Sequence, residues 1–89
     1  MKTQNTKKTM ESKYSPKNKY RGEIRFSNPL EGIGSVWGVT ANDIDLLKYH
    51  LQRYVKLAHK DKATCHIRIY ENLKQYPEFD WQEIESYEV

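Results

Sequence analysis

The stretch between Thr40 and Lys60 constrains the fold most, because it alone carries a sustained helical pattern. Its apolar side chains recur at three- and four-residue steps and form one continuous helix face: Ile44, Leu47, Leu51, Tyr54, Val55 and Ala58. Thr40 fits an N-cap, with Asp43 three residues later as in a capping box. About 20 residues without Pro or Gly give roughly 30 Å of helix. Such a helix is expected to cross a small domain from end to end.

Three segments around this helix show the alternation of half-buried strands. Residues 20–27 place Ile24 and Phe26 on one face, and residues 35–39 follow after a short loop. That loop is too short for a parallel crossover, so the two segments are expected to form a hairpin. Residues 64–71, after the helix, alternate most regularly of the three.

The C-terminal segment 81–89 allows two interpretations. As a strand it places Glu83 and Glu85 on one face, whereas as a helical turn it has Asp80 as its cap. We favour the strand. The predicted fold class is therefore α+β: a two-layer β-β-α-β-β arrangement of about four mainly antiparallel strands, with one long helix over about 41–60 across one face.

Charge divides the chain unevenly. Residues 1–19 carry six Lys and one Glu, and residues 71–89 carry one Lys and six acids, so the first segment is +5 and the last −5. Residues 1–19 contain too few apolar side chains to offset the entropy of ordering. We expect a disordered basic N-terminal arm over 1–19 and a single small α+β domain over 20–89. The arm is expected either to bind phosphate groups or only to keep the protein soluble.

The cysteine count and the hydropathy pattern limit the cellular compartments in which the protein is expected. Cys65 is the single cysteine, so no intrachain disulfide can form. No apolar run approaches the 18 or so residues of a membrane span, and the N-terminus lacks the apolar region of a secretory signal. We expect a cytoplasmic protein that does not contact a membrane.

Catalytic and metal-binding patterns are weak in this sequence. The glycines from Gly32 to Gly38 miss the spacing of a dinucleotide-binding or Walker loop. His50 and His59 are out of phase on the helix, while Cys65 and His66 alternate to opposite faces of a strand. The sequence therefore predicts no metal and no cofactor.

A nucleophile or an acid–base pair is equally poorly supported. Cys65 falls on the inward face of its strand, where a thiol is usually an inert small hydrophobe. Glu83 and Glu85 share a predicted strand face, but acidic pairs on an edge strand mostly keep that edge soluble. We expect a protein that is not an enzyme.

The sheet face away from the helix is the first candidate surface. One helix covers one side of such a sheet, so aromatic and Arg side chains are expected on the other side. The predicted partner-binding residues are Arg25, Trp37, His66, Arg68 and Tyr70, with Trp37 included only if Val36 points inward. Tyr, Trp and Arg are the usual hot-spot residues of protein interfaces, and aromatics with Arg also stack bases in some RNA-binding domains.

The outer helix face is the second candidate surface. Tyr49, Arg53, Lys56 and Lys60 follow one another at steps of four, three and four residues and form a basic stripe. Together with Lys7 and Lys8 of the arm, these are the predicted nucleic-acid-binding residues of an alternative function. An ordinary solvated helix face has the same pattern.

These surfaces lead to an expected function without catalysis. We expect a small interaction module that binds a protein or nucleoprotein complex, such as an accessory or inhibitor protein of a phage or mobile element. The alternative is direct nucleic-acid binding through the arm and the stripe. Leu46 and Leu57 widen the apolar arc of the helix, which favours a further contact such as a homodimer.

Overall fold

The computed structural model describes residues 15–89, which form one four-stranded sheet and one helix. The elements are β1 (Tyr20–Leu30), β2 (Gly34–Ala41), α1 (Ile44–Lys60), β3 (Cys65–Asn72) and β4 (Trp81–Glu88). All neighbouring strands are antiparallel, in the spatial order β2-β1-β3-β4. The predicted α+β class and element order are confirmed.

Strand β1 is central because it pairs on both sides. Ile24 lies opposite Trp37 of β2 and opposite Ile67 of β3. The hairpin between β1 and β2 is the predicted one, although both strands are longer than the alternating pattern indicates. Gly32 and Gly34 close it with φ of 80° and 98°, a left-handed conformation that glycine adopts without steric cost.

Helix α1 begins three residues later than the capping pattern predicts. Thr40 remains in β2, opposite Arg21, and its buried hydroxyl accepts hydrogen bonds from the Ser15 backbone N–H at 2.6 Å and the Asn18 amide at 3.0 Å. Asp43 is the N-cap, with an extended backbone and a carboxylate that accepts from the Asp45 N–H at 3.4 Å. Because Thr40 is paired with β1 in the sheet, it cannot cap the helix, and Asp43 takes that role.

The core lies between α1 and one face of the sheet. On the helix, the predicted apolar face is buried apart from Ile44, which is half-buried. Ile24, Ile67 and Ile69 of the sheet are fully buried against it. Gly22 permits the closest approach, since a Cβ at that position would lie 2.8 Å from Leu51 Cδ1. The missing side chain lets the helix sit directly on β1.

Strand β4 contains one extra residue, which changes the faces of its glutamates. Ile69 lies opposite Glu85 and Tyr70 opposite Glu83, so Ile84 is inserted between the two pairs as a bulge. Glu85 faces the helix, where its carboxylate is 2.9 Å from Lys48 Nζ. The prediction that Glu83 and Glu85 share a face is therefore wrong, because a bulge interrupts the two-residue period.

The Lys48–Glu85 ion pair ties α1 to the edge strand β4. The hydrogen bond to Glu85 raises the pKa of the Lys48 ammonium above its usual value. Burial beneath the helix raises the pKa of the Tyr87 hydroxyl on the same strand. Both groups therefore keep their neutral-pH protonation state further into the alkaline range.

The predicted arm lies mostly outside the described residues. Residues 1–14, including Lys7 and Lys8, fall there. Lys19 is attached to the domain: its N–H donates to Asn42 Oδ1 at 2.9 Å, and its Nζ lies 3.2 Å from a Glu71 carboxylate oxygen. Across residues 15–89, no helix is both long enough and apolar enough to span a membrane.

The contact between α1 and β1 generates the first prediction. Leu51→Ala removes a side chain that is 1% exposed and sits against Gly22, so it should lower the free energy of unfolding by about 2–5 kcal/mol. Leu73→Ala is the control, because Leu73 is 59% exposed and should cost about 0.5 kcal/mol or less. Urea unfolding followed by circular dichroism measures both. Equal losses would contradict this core.

Candidate partner-binding face

The face of the sheet opposite α1 is not covered by any helix within residues 15–89, and we call it the open sheet face. Strand alternation and the cross-strand pairs assign its side chains: Arg21, Glu23, Arg25, Val36, Thr40, His66, Arg68, Tyr70, Asn72, Trp81, Glu83, Ser86 and Glu88. Residues 15–18 approach this face near Thr40, at the end of β2, and Lys17 also reaches the Tyr76 ring of the loop after β3. The sheet thus presents a broad four-stranded surface.

Four of the five predicted partner-binding residues lie on the open sheet face. Arg25 is directly opposite His66, and Arg68 and Tyr70 follow along β3. Trp37 does not belong to this face. Its ring packs on Tyr54 of the helix with centroids 5.8 Å apart, while Val36 points outward and is 39% exposed. The larger side chain of β2 faces the helix, where it buries more apolar area.

Carboxylates accompany the basic side chains of this face. His66 Nδ1 lies 2.7 Å from Glu88 Oε2, and Nε2 lies 3.0 Å from the Ser86 hydroxyl. Two arginine–glutamate pairs are looser: Arg25–Glu23 at 3.5 Å and Arg68–Glu83 at 4.0 Å. Such half-exposed pairs contribute about 1 kcal/mol or less each to stability. Their main effect is to balance the charge of the face.

Arg21 lies between two aromatic rings at one end of the open sheet face. Its guanidinium carbon is 4.9 Å from the Tyr70 ring centroid and 4.9 Å from that of Trp81. Both distances fall in the range of cation–π interactions. The stack fixes a long, charged side chain in one conformation, so a partner that binds it loses less rotamer entropy.

The aromatic series continues from Trp81 onto the loop over residues 73–80. Phe79 stacks on Trp81 with centroids 6.1 Å apart and an interplanar angle of 15°. Tyr76 meets Phe79 edge-on at 6.0 Å, and Lys17 Nζ lies 5.7 Å from the Tyr76 ring. We call Tyr70, Trp81, Phe79 and Tyr76 the aromatic row. Phe79 and Tyr76 are 44% and 48% exposed, so this end of the face has a large accessible apolar surface.

Asn72 holds the loop that carries the aromatic row. Its buried amide donates to the Glu78 carbonyl at 3.0 Å, and its Oδ1 accepts from the backbone N–H groups of Lys74 at 3.0 Å and Asp80 at 2.7 Å. Leu73 adds a backbone hydrogen bond to the Asp80 carbonyl at 3.0 Å. One side chain therefore satisfies three backbone groups of a loop without regular structure.

Sequence reasoning missed Arg21, Asn72 and the loop aromatics. The signal for the aromatics was present, since Tyr76, Phe79 and Trp81 cluster within six positions around a proline. Arg21 and Trp81 are 60 positions apart, and only the strand order brings them together.

The concavity on the open sheet face is shallow. A depression of about 280 Å³ is lined by Arg21, Glu23, Val36 and Tyr70, together with Gly22, Trp37 and Gly38. It lies at the lower limit for small-molecule sites, which usually enclose most of their ligand. A single protruding side chain of a partner fits it better than a cofactor does.

The residues considered for metal or nucleophilic chemistry lie apart. In the part of the chain that the structure describes, no three His, Cys, Asp or Glu side chains are grouped so that they could hold a metal ion. Cys65 is 1% exposed, and burial raises the pKa of its thiol, which disfavours the nucleophilic thiolate. Gly32 and Gly34 belong to the tight turn before β2.

The predicted basic stripe lies on the outer surface of α1. Tyr49 is 64% exposed, and Arg53, Lys56 and Lys60 are exposed along the same side of the helix. This surface is on the opposite side of the molecule from the open sheet face. The two predicted surfaces can therefore be tested independently.

Comparison of the chain with protein-family models, with curated proteins and with solved structures found no match. Function must therefore be argued from the surfaces themselves.

The role of Asn72 generates the second prediction. Asn72→Ala leaves the Lys74 and Asp80 N–H groups without their acceptor, so these amides should exchange with solvent at least tenfold faster. The expected loss of stability is about 1–3 kcal/mol. Gln82→Ala removes an exposed amide that donates to the Asp80 side chain at 2.9 Å, and should leave the backbone hydrogen bonds of the loop protected. Amide exchange rates measured by NMR compare the two variants with the unmodified protein. Unchanged exchange in Asn72→Ala would refute the anchoring role.

Proposed function

We propose that this protein is a non-enzymatic interaction module whose open sheet face binds a protein, alone or within a nucleoprotein complex. The observation that carries the proposal is the composition of that face. Arg21 is stacked between two aromatic rings, and Arg25 and Arg68 lie 3.5 Å and 4.0 Å from glutamates, on a broad surface that no helix of residues 15–89 covers.

Charge balance favours a protein partner over a nucleic acid for this face. Three arginines, Arg21, Arg25 and Arg68, are matched by three glutamates, Glu23, Glu83 and Glu88. Nucleic-acid affinity depends mainly on cations that neutralise phosphates, and these glutamates would repel phosphates. A protein interface instead combines aromatic and Arg anchors with a polar rim.

The aromatic row supplies the apolar part of such an interface. Exposed Phe79 and Tyr76 adjoin half-buried Trp81, so a partner would bury apolar area around Arg21 and Tyr70. Together with small size and the Lys-, Asn- and Tyr-rich composition, this supports a role as an accessory or inhibitor protein of a phage or mobile element, acting in the cytoplasm, where the single thiol stays reduced.

The third prediction tests the open sheet face. The full tagged chain should capture a defined protein from a lysate of the cells that contain it, and nuclease treatment should not release that protein. Tyr70→Ala and Arg68→Ala should each weaken the purified complex by tenfold or more, the effect of losing a hot-spot residue worth about 1.4 kcal/mol or more. Isothermal titration calorimetry measures the affinities.

Tyr49→Ala is the matched control for that experiment. It removes an exposed tyrosine from the outer surface of α1, so it should leave the affinity unchanged. Circular dichroism and thermal unfolding check that each variant folds. An equal loss of affinity in Tyr49→Ala, or full affinity in both open-face variants, would reject the open sheet face as the binding surface.

The exposed stripe on α1 supports nucleic-acid binding as the second candidate function. Tyr49, Arg53, Lys56 and Lys60 are all exposed on one side of the helix, where cations could contact successive phosphates. Residues 1–19 carry a further six lysines, including Lys7 and Lys8. This candidate uses the opposite side of the molecule from the open sheet face.

The fourth prediction separates this candidate from the first. If the stripe binds nucleic acid, affinity should fall steeply with salt, with a logarithmic slope of about −0.9 for each duplex phosphate contacted. Lys56→Ala with Lys60→Ala should make that slope shallower by about 2, whereas Arg68→Ala should not change it. Fluorescence anisotropy with a labelled duplex measures the slope. Affinity that does not depend on salt concentration, or a slope that the double substitution leaves unchanged, excludes the stripe as the nucleic-acid-binding surface.

A further inference from the structure

The two edge strands of the sheet are protected to very different degrees. β4 forms one edge and carries Glu83, Glu85 and Glu88, with the bulge at Ile84 interrupting its regular pairing. Charges and bulges are the usual means by which edge strands avoid pairing with another chain. The protein thus protects its β4 edge.

Strand β2 forms the other edge and has no such protection. Its sequence from Gly34 to Ala41 contains no charged residue and no proline. Its pairing with β1 is regular from Val36 to Ala41, and within residues 15–89 only β1 pairs with it. A regular, uncharged edge strand is a template for a further strand.

Exposed leucines lie on the helix flank above this edge. Leu46 and Leu57 are 45% and 46% exposed and project in nearly the same direction, because eleven residues make about three turns. Lys48 lies about half a turn of the helix away from these leucines and pairs with Glu85 of β4. The leucines therefore face the β2 side. Tyr54, which packs on Trp37 of β2, confirms this orientation of the helix.

We propose that a second copy of this chain pairs antiparallel with β2 through its own β2, which gives a two-fold dimer with a continuous eight-stranded sheet. Helix α1 packs mainly on β1 and β2. With strands about 4.8 Å apart, a helix axis centred between β1 and β2 would lie about 10 Å from that of the second copy across the two-fold axis, and an axis centred over β1 would lie about 14 Å from it. The first separation is the usual distance for packed helices.

The second copy fits this edge better than an unrelated extended peptide. Paired with itself, the uncharged β2 opposes no like charges, and the antiparallel helices bring Leu46 of one copy toward the second copy's Leu57. A lone peptide would occupy the strand edge and leave both leucines in water. Arg53 lies between them in the sequence, at the border between this flank and the basic stripe, and its aliphatic stem can add apolar area there.

The dimer also extends the proposed binding surface. The two open sheet faces become one continuous surface, with exposed Val36 of each copy beside the junction. Two copies of the aromatic row then flank one sheet, so a symmetric or repetitive partner can be bound at two points.

Sedimentation equilibrium of the full chain, from about 1 μM to about 1 mM, tests the dimer over the range where weak self-association is measurable. The expected mass at high concentration is twice 10.6 kDa. Leu46→Glu with Leu57→Glu should shift the mass to that of one copy while circular dichroism stays unchanged, because both leucines are exposed in the single chain. Leu73→Glu, which places the same charge on an exposed leucine outside the flank, should leave the dimer intact.

Hydrogen exchange locates the interface. Backbone amides within residues 35–39 should exchange at least tenfold more slowly at the dimeric concentration than at the monomeric one, whereas β4 amides should show no such difference. A mass of one copy throughout overturns the proposal. A dimer that persists in the double glutamate variant, or that leaves residues 35–39 unprotected, overturns it equally, since the copies then meet elsewhere.

Discussion

The contact between Leu51 and Gly22 is the constraint on which the rest of this structure depends. Gly22 has no side chain, so α1 sits directly on β1, the strand that pairs on both sides. The helix is displaced toward β2, where Tyr54 packs on Trp37. The apolar side chains of a small domain suffice for one such interface, and the opposite side of the sheet is left to polar and aromatic residues.

That opposite side is ordered by interactions that would also suit the proposed binding role. Arg21 is stacked between Tyr70 and Trp81, and the remaining arginines form looser, half-exposed pairs with glutamates. A surface with as many carboxylates as arginines gains little from long-range attraction, so the affinity of the proposed interface would have to come from shape and buried apolar area. The loop anchored by Asn72 supplies that apolar area at one end.

The off-centre helix has a second consequence at the edges of the sheet. On the β4 side it reaches the sheet through the Lys48–Glu85 ion pair, and glutamates protect that edge. On the β2 side it presents Leu46 and Leu57 above an uncharged strand. The off-centre packing of α1 thus leaves one sheet edge protected by charge and the other edge uncharged, as the proposed dimer requires. The basic stripe lies on the outer surface of the helix.

Local patterns in the sequence were enough to predict the buried helix face and three of the four strands, because periodicity depends on neighbours within a few residues. For residues 81–89 they favoured the strand but also allowed a helical turn. They also placed four residues on the open sheet face: Arg25, His66, Arg68 and Tyr70. The position of Trp37, the bulge at Ile84 and the start of the helix depended on cross-strand pairing, which no local pattern records. The stack around Arg21 likewise joins positions far apart in the chain. Only the tertiary structure decides such contacts, because strand order determines which distant side chains meet.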